Sequence, residues 1–114
     1  MEDKSKLSVL WTSADREVAL KMVFMYTLNS KLRNWWEEVT LIVWGPSARL
    51  LSEDVDLQEH VEKMISSGVV VKACKACADG YGVSEKLELL GIDVLYMGEP
   101  LTEILKEDEK LITF

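Results

Sequence analysis

Five short apolar runs, separated by stretches with helical periodicity, constrain this chain more than any other feature. The runs are Leu7 to Trp11, Val39 to Trp44, Val69 to Cys74, Ile92 to Tyr96 and Leu111 to Phe114. Valine and isoleucine are frequent in them, and apolar residues follow one another with little alternation. That pattern predicts strands buried on both faces. Asp15 is placed to cap a helix starting near Arg16, along which Ala19, Met22, Val23 and Tyr26 recur at helical spacing. Val18, Leu20, Phe24, Met25 and Leu28 make this helix apolar on nearly all sides, so it is expected to be deeply buried or to face a second subunit. Gly45-Pro46 closes the second strand and opens a short helix. Asp56 and Ser84 are the expected caps of the next two helices, Gly68 and Gly91 their stops, and Pro100 opens a last helix to about Lys106. Strict strand–helix alternation with short linkers predicts an α/β fold. We expect a three-layer α/β/α sandwich with a mostly parallel five-stranded sheet, built by residues 1–114 as one domain.

Composition narrows the classes of function. Hydrophobic residues make up 48% and charged residues 29% of the 114 residues, as in ordinary soluble globular proteins. A disordered chain, a collagen-like repeat and a disulfide-dense mini-protein are excluded. The net charge is −7, from 13 basic and 20 acidic residues, with no basic block to neutralise a phosphate backbone. Nucleic acid and anionic membrane are therefore not expected partners. No apolar run approaches the length of a membrane span. The opening Met1-Glu2-Asp3-Lys4-Ser5-Lys6 is charged, and no signal-peptide apolar region follows it. A cytoplasmic location is expected, where two cysteines read as working thiols rather than a structural disulfide.

In open α/β sheets, ligands gather at the carboxyl ends of the strands. Here those ends read Trp11-Thr12-Ser13, Trp44-Gly45-Pro46-Ser47, Ala73-Cys74-Lys75-Ala76-Cys77 and Met97-Gly98-Glu99. Cys74 and Cys77 are the candidate reactive groups. A cysteine where a strand gives way to a helix meets the unpaired N–H groups and positive end of that helix, which favour the thiolate and lower its pKa. Lys75 adds positive charge, and Gly80 and Gly82 allow a tight turn. The plainer reading is that both cysteines are packing residues. A zinc site is not expected, because only the distant His60 could join the two thiols where a structural site wants four ligands. His60 reads as a helix-surface or partly buried residue, Trp35-Trp36 as packing or a subunit contact, and Ser13 and Ser47 as helix caps. Neither G-x-x-x-x-G-K nor G-x-G-x-x-G is present, so no nucleotide signal exists.

The run Val71-Lys72-Ala73-Cys74-Lys75-Ala76-Cys77-Ala78-Asp79-Gly80-Tyr81-Gly82-Val83 resembles the cysteine loop of the DsrE/DsrF-like family. These are small α/β sulfurtransferase and sulfur-carrier proteins, including the TusD-type sulfur-relay subunits and the YchN-like proteins. The resemblance extends to Leu7 to Ser13 and Val39 to Pro46, which look like the family's first two strands. It implies that Cys74 is the sulfur-carrying cysteine and that Gly82-Val83 is the turn after it. Cys77 matches a second cysteine that some members carry, and Tyr81 stands where many have arginine. It also implies a homo-oligomer, a trimer or hexamer.

With that resemblance, the expected function is a sulfur carrier or sulfurtransferase, without cofactor or metal. Cys74 would hold sulfane sulfur as a persulfide, taken from a donor protein or small thiol and passed to an acceptor thiol. Trp11 and Trp44 would wall the site, Cys77 would resolve the persulfide, and N–H groups from Lys75 to Ala78 would stabilise the charge. Thr12, Ser13, Gly45, Lys75, Gly82 and Met97 complete the expected substrate-binding set. Two alternatives stand beside it: a cytosolic thiol–disulfide oxidoreductase using Cys74 and Cys77, and a non-catalytic oligomeric binding module.

Overall fold

The computed structural model describes residues 5–114. The charged opening through Lys4 lies outside the described residues. Strands β1 (Lys6–Trp11), β2 (Glu38–Val43), β3 (Val70–Cys74), β4 (Asp93–Leu95) and β5 (Lys110–Thr113) form one sheet in the order β4-β3-β2-β1-β5. Every pairing is parallel. The register aligns Trp11 with Val43 and Val43 with Ala73. All connections therefore pass through helices, as parallel pairing requires.

The first long helix has three parts: an α turn, α1 (Arg16–Val18), a π-helical segment (Ala19–Val23) and α2 (Phe24–Leu32). Asp15 caps it by accepting from the N–H groups of Glu17 and Val18. Then follow α3 (Pro46–Glu53), α4 (Val55–Ser66), α5 (Lys75–Tyr81), α6 (Ser84–Leu89) and α7 (Gly98–Lys106).

The two faces of the sheet are covered unequally. One face presents Leu7, Val9, Trp11, Val39, Leu41, Val43, Val69, Val71 and Ala73 to the main core. Onto it pack Val23 and Phe24 of the first helix, Leu51 of α3, Leu57, Val61 and Met64 of α4, Ala78 of α5 and Leu87 of α6. The opposite face carries a smaller cluster of Ile42, Cys74 and Met97, flanked by Leu10, Trp44, Cys77, Leu95 and Ile104. Of the helices, α7 supplies Ile104 there, and no residue inside α7 is fully buried. Two-sided burial is thus confined to the carboxyl halves of the central strands. The edge strand β5 has no fully buried residue.

Some local expectations change. Helix α4 is capped by Asp54, not Asp56: its carboxylate accepts from the Leu57 N–H at 3.2 Å and binds Arg16 Nε at 2.8 Å. Asp56 lies in the first turn and pairs with the same guanidinium. Ser84 is the first residue of α6 rather than its cap, and its hydroxyl donates to Asp79. The last helix begins at Gly98, two residues before Pro100. The first helix, apolar on nearly all sides, is not wholly buried, since Met22 and Met25 are each more than half exposed.

The Asp54 carboxyl is held below the usual carboxylate range: burial pushes it up, but the Arg16 and Leu57 hydrogen bonds outweigh that. Replacing Asp54 with alanine is expected to cost about 1 kcal/mol at neutral pH, as for other N-cap losses. A folded-state pKa below the unfolded one means this stability is present above the ordinary carboxylate pKa and is lost as pH falls through the folded value. Urea denaturation of both proteins at pH 7 and pH 2.5 checks it: the gap between them should close in acid.

Candidate functional site at the carboxyl end of β3

Cys74 is the last residue of β3 and the residue that caps α5, with extended φ/ψ of −67° and 115°. No side chain caps α5, so its first-turn N–H groups have no side-chain acceptor. Strand alternation turns Cys74 away from the main core, because its neighbour Ala73 faces that core. The Cys74 side chain joins Ile42 and Met97 instead. It is 5% exposed, while Cys77, one turn into α5, is half-buried.

The two thiols interact. Burial, above all, raises the Cys77 pKa above the ordinary thiol range, and its hydrogen bond to Cys74 raises it further. An N–H bond from Gly45 works in the opposite direction without reversing the outcome. The Gly45 amide is aimed by a backbone at φ 71° and ψ −137°, a left-handed conformation that favours glycine. Gly82, also left-handed at φ 70°, ends α5 by donating to the carbonyls of Ala78 and Asp79.

Among the other expected site residues, Met97 and Trp44 pack around Cys74. Trp11 does not. It is fully buried on the opposite face, edge-on to Phe24 at 5.1 Å. The register decides this: Trp11, Val43 and Ala73 share a row facing the main core, so Cys74 must point the other way. Thr12 is taken up by the chain end, with its N–H and hydroxyl both donating to the Phe114 carbonyl, at 2.8 and 3.0 Å. The Ser13 hydroxyl oxygen is buried without a hydrogen-bond partner among the described residues. Ser47 ties the ends of β1 and β2 together, donating to the Trp11 carbonyl at 2.6 Å and accepting from the Trp44 N–H at 3.1 Å.

Lys75 is likewise drawn away from the thiols. Its ammonium binds Asp79 one turn along the helix at 2.9 Å and lies 5.8 Å from the Tyr96 ring centre. The pairing raises the Lys75 pKa, and hydrogen bonds from Ser84 and then Lys75 hold Asp79 low. Asp79, Tyr96 and Ile42 were not in the sequence-derived set. Ile42 carries a readable signal, because it is two residues from Trp44 on a strand and must share its face. His60 is partly exposed and stacked on Phe24 at 6.0 Å, remote from the cysteine cluster. Among the described residues no group of three His, Cys, Asp or Glu side chains could hold a metal ion. No helix among them is long and apolar enough to cross a membrane.

The chain matches the DsrE/DsrF-like family over residues 12–114, which includes both cysteines and four of the five strands. The chain belongs to that family. Members are generally linked to sulfur relay. A conserved protein of unknown function from Bacteroides thetaiotaomicron, BT1422, is 41% identical, with a TM-score of 0.95 over 96% of this chain and 95% of that one. The ychN protein from E. coli is 18% identical with a TM-score of 0.71, over 96% of this chain and 99% of that one. MTH1491 from Methanobacterium thermoautotrophicum, also of unknown function, is 16% identical with a TM-score of 0.74, over 97% and 100%. These last two likenesses establish a shared DsrE-like fold. No curated protein matches the chain.

Proposed function

We propose that this protein is a sulfur carrier that holds sulfane sulfur on Cys74. The observation that carries this reading is the placement of Cys74 as the last residue of β3 and the residue that caps α5, whose first-turn N–H groups no side chain caps, with Cys77 packed in the same cluster. Membership of a family linked to sulfur relay supports it. In the loading step the Cys74 thiolate attacks the terminal sulfur of a donor persulfide. A new S–S bond forms on Cys74, the donor's S–S bond breaks, and the donor leaves as a thiolate. In the unloading step an acceptor thiolate attacks the terminal sulfur and returns Cys74 as a thiolate. Neither step has net oxidation. The uncapped first-turn N–H groups of α5 and the Cys77 thiol are the available donors to the charged sulfur. Ile42, Met97 and Trp44 limit access of water and competing thiols.

The test is mass spectrometry after incubation with a sulfane-sulfur donor. Wild type is expected to gain one sulfur, removable by reductant, and Cys74→Ser to gain none. An undiminished gain on Cys74→Ser overturns the assignment. The contact between the thiols also favours a second reading, a redox-active pair. Its signature is a loss of two hydrogens, without sulfur gain, on equilibration with a glutathione redox buffer.

A further inference from the structure

We infer that β5 and the apolar groove beside it form a docking surface for a second copy of this chain, joined across a twofold axis at Ile112. The groove lies between the first helix and β5 and measures about 420 Å³. Met22, Met25, Trp35 and Ile112 converge on it, each 40–54% exposed. Exposed apolar side chains that gather in this way, methionine and tryptophan above all, mark interaction surfaces. Trp35 is also ordered in advance. Its ring lies 5.9 Å from that of Tyr26, whose hydroxyl accepts from Trp36 Nε1 at 3.2 Å. A half-exposed tryptophan held by its neighbours is the kind of residue that anchors an interface.

Charge, the strand edge and area together point to a second copy as the occupant. Among the described residues no acidic side chain lines the groove, although the chain has 20 acidic residues and a net charge of −7. Two copies repel one another over most of their surface, but here they meet without setting carboxylates face to face. Among the described residues β5 pairs with β1 alone, which leaves its other edge without a strand. The Phe114 N–H donates to the Leu10 carbonyl, and the Phe114 carbonyl accepts from the Thr12 N–H. Alternation then aims the backbone groups of Ile112 at β1 and those of Leu111 and Thr113 outward. An antiparallel copy fits that edge with itself. Leu111 exchanges both backbone bonds with the copy's Thr113, Thr113 does so with the copy's Leu111, and Ile112 faces its own equivalent across the axis. Ile112 is the register partner of Val9, which faces the main core, so the self-pair joins the floors of the two grooves. The exposed parts of the four side chains amount to roughly 400 Å², taking about 200 Å² for each whole side chain. That is about half of the roughly 800 Å² per partner of a stable interface, before the strand edge is counted.

Sedimentation velocity and cross-linking of the whole chain test this. Wild type at micromolar concentration is expected to sediment as a dimer or an even multiple of it. Met25→Glu and Trp35→Glu, at half-exposed sites that keep the fold, should shift it to monomer. Leu89→Glu, the same charge change at an 87% exposed residue of α6, should leave it as wild type. Ile112→Cys should form a disulfide joining position 112 of two copies on mild oxidation, because directly opposed residues of this pair type lie about 4.5 Å apart at Cα, within disulfide reach. Peptide mass spectrometry identifies the link. A monomeric wild type, an odd-numbered assembly, an assembly unmoved by both glutamate variants, or a missing link at position 112 overturns the inference.

Discussion

Replacing Trp11 with alanine is expected to remove about 3–5 kcal/mol of folding stability, the usual cost of deleting a fully buried large aromatic side chain. That is a large share of the roughly 5–15 kcal/mol that holds a domain of this size together. Trp11 is fully buried and meets Phe24 edge-on at 5.1 Å, and its strand is interior to the sheet, between β2 and the edge strand β5. Nothing can collapse readily into the space, because Val43 of the next strand and Phe24 of the helix above are held in regular structure. Trp11→Phe should behave differently. It keeps most of the apolar contact, and it removes the indole Nε1–H, which is buried without a hydrogen-bond partner among the described residues. Deleting an unpaired buried donor recovers part of the packing loss, so the net cost should stay below about 1.5 kcal/mol. Guanidinium denaturation of the three proteins decides it. Equal losses for alanine and phenylalanine would contradict the packing account. Trp11→Phe should also load sulfur on Cys74 as wild type does, since the indole lies across the sheet.

Why one tryptophan belongs to the core and the other to the cysteine cluster was not readable from the chain alone. The strands themselves were legible, because Leu7 to Trp11 or Val69 to Cys74 leaves few alternatives to a buried strand. Their carboxyl ends could be aligned by the topology rule alone. Which side each end faces depends on register, and register depends on strand order, which no local pattern specifies. Once Trp11 is set beside Val43 and Val43 beside Ala73, alternation sends Trp11 and Cys74 to opposite faces. Lys75 shows a second kind of failure. Proximity in sequence suggested a charge beside the thiol, but residue 75 opens a helix and reaches residue 79 one turn on, which is an aspartate. Lys72, two residues before Cys74, is the lysine that shares its face of the strand, by the period-two relation. Capping was uncertain for the same reason. Asp54 and Asp56 both precede the apolar stripe of α4, and Arg16 binds both carboxylates; Asp54 is the cap because its backbone is still extended, at φ −115° and ψ 105°, while Asp56 already lies in the first turn.

Removing the second thiol should lengthen the life of the Cys74 persulfide by about tenfold or more, given the advantage of an attacking group held beside its target. The competing reaction is internal. The Cys77 thiolate attacks the inner sulfur of the Cys74 persulfide, a Cys74–Cys77 disulfide forms, and hydrosulfide leaves with the electron pair of the broken S–S bond. Only the thiolate attacks, and burial holds the Cys77 pKa above the ordinary thiol range. Wild type should therefore keep its persulfide near pH 7 and lose it faster as pH rises, by about tenfold per unit while the thiolate fraction is small. Cys77→Ala should show no such acceleration and no disulfide. Sulfide release and intact mass, followed from pH 6.5 to 9 on loaded protein, measure both. If loss from wild type is independent of pH and matches Cys77→Ala, the second thiol takes no part in releasing sulfur and its proton serves only to steady the first. If loss rises with pH only when Cys77 is present, the same burial that keeps this thiol silent is what makes Cys74 a carrier rather than half of a disulfide.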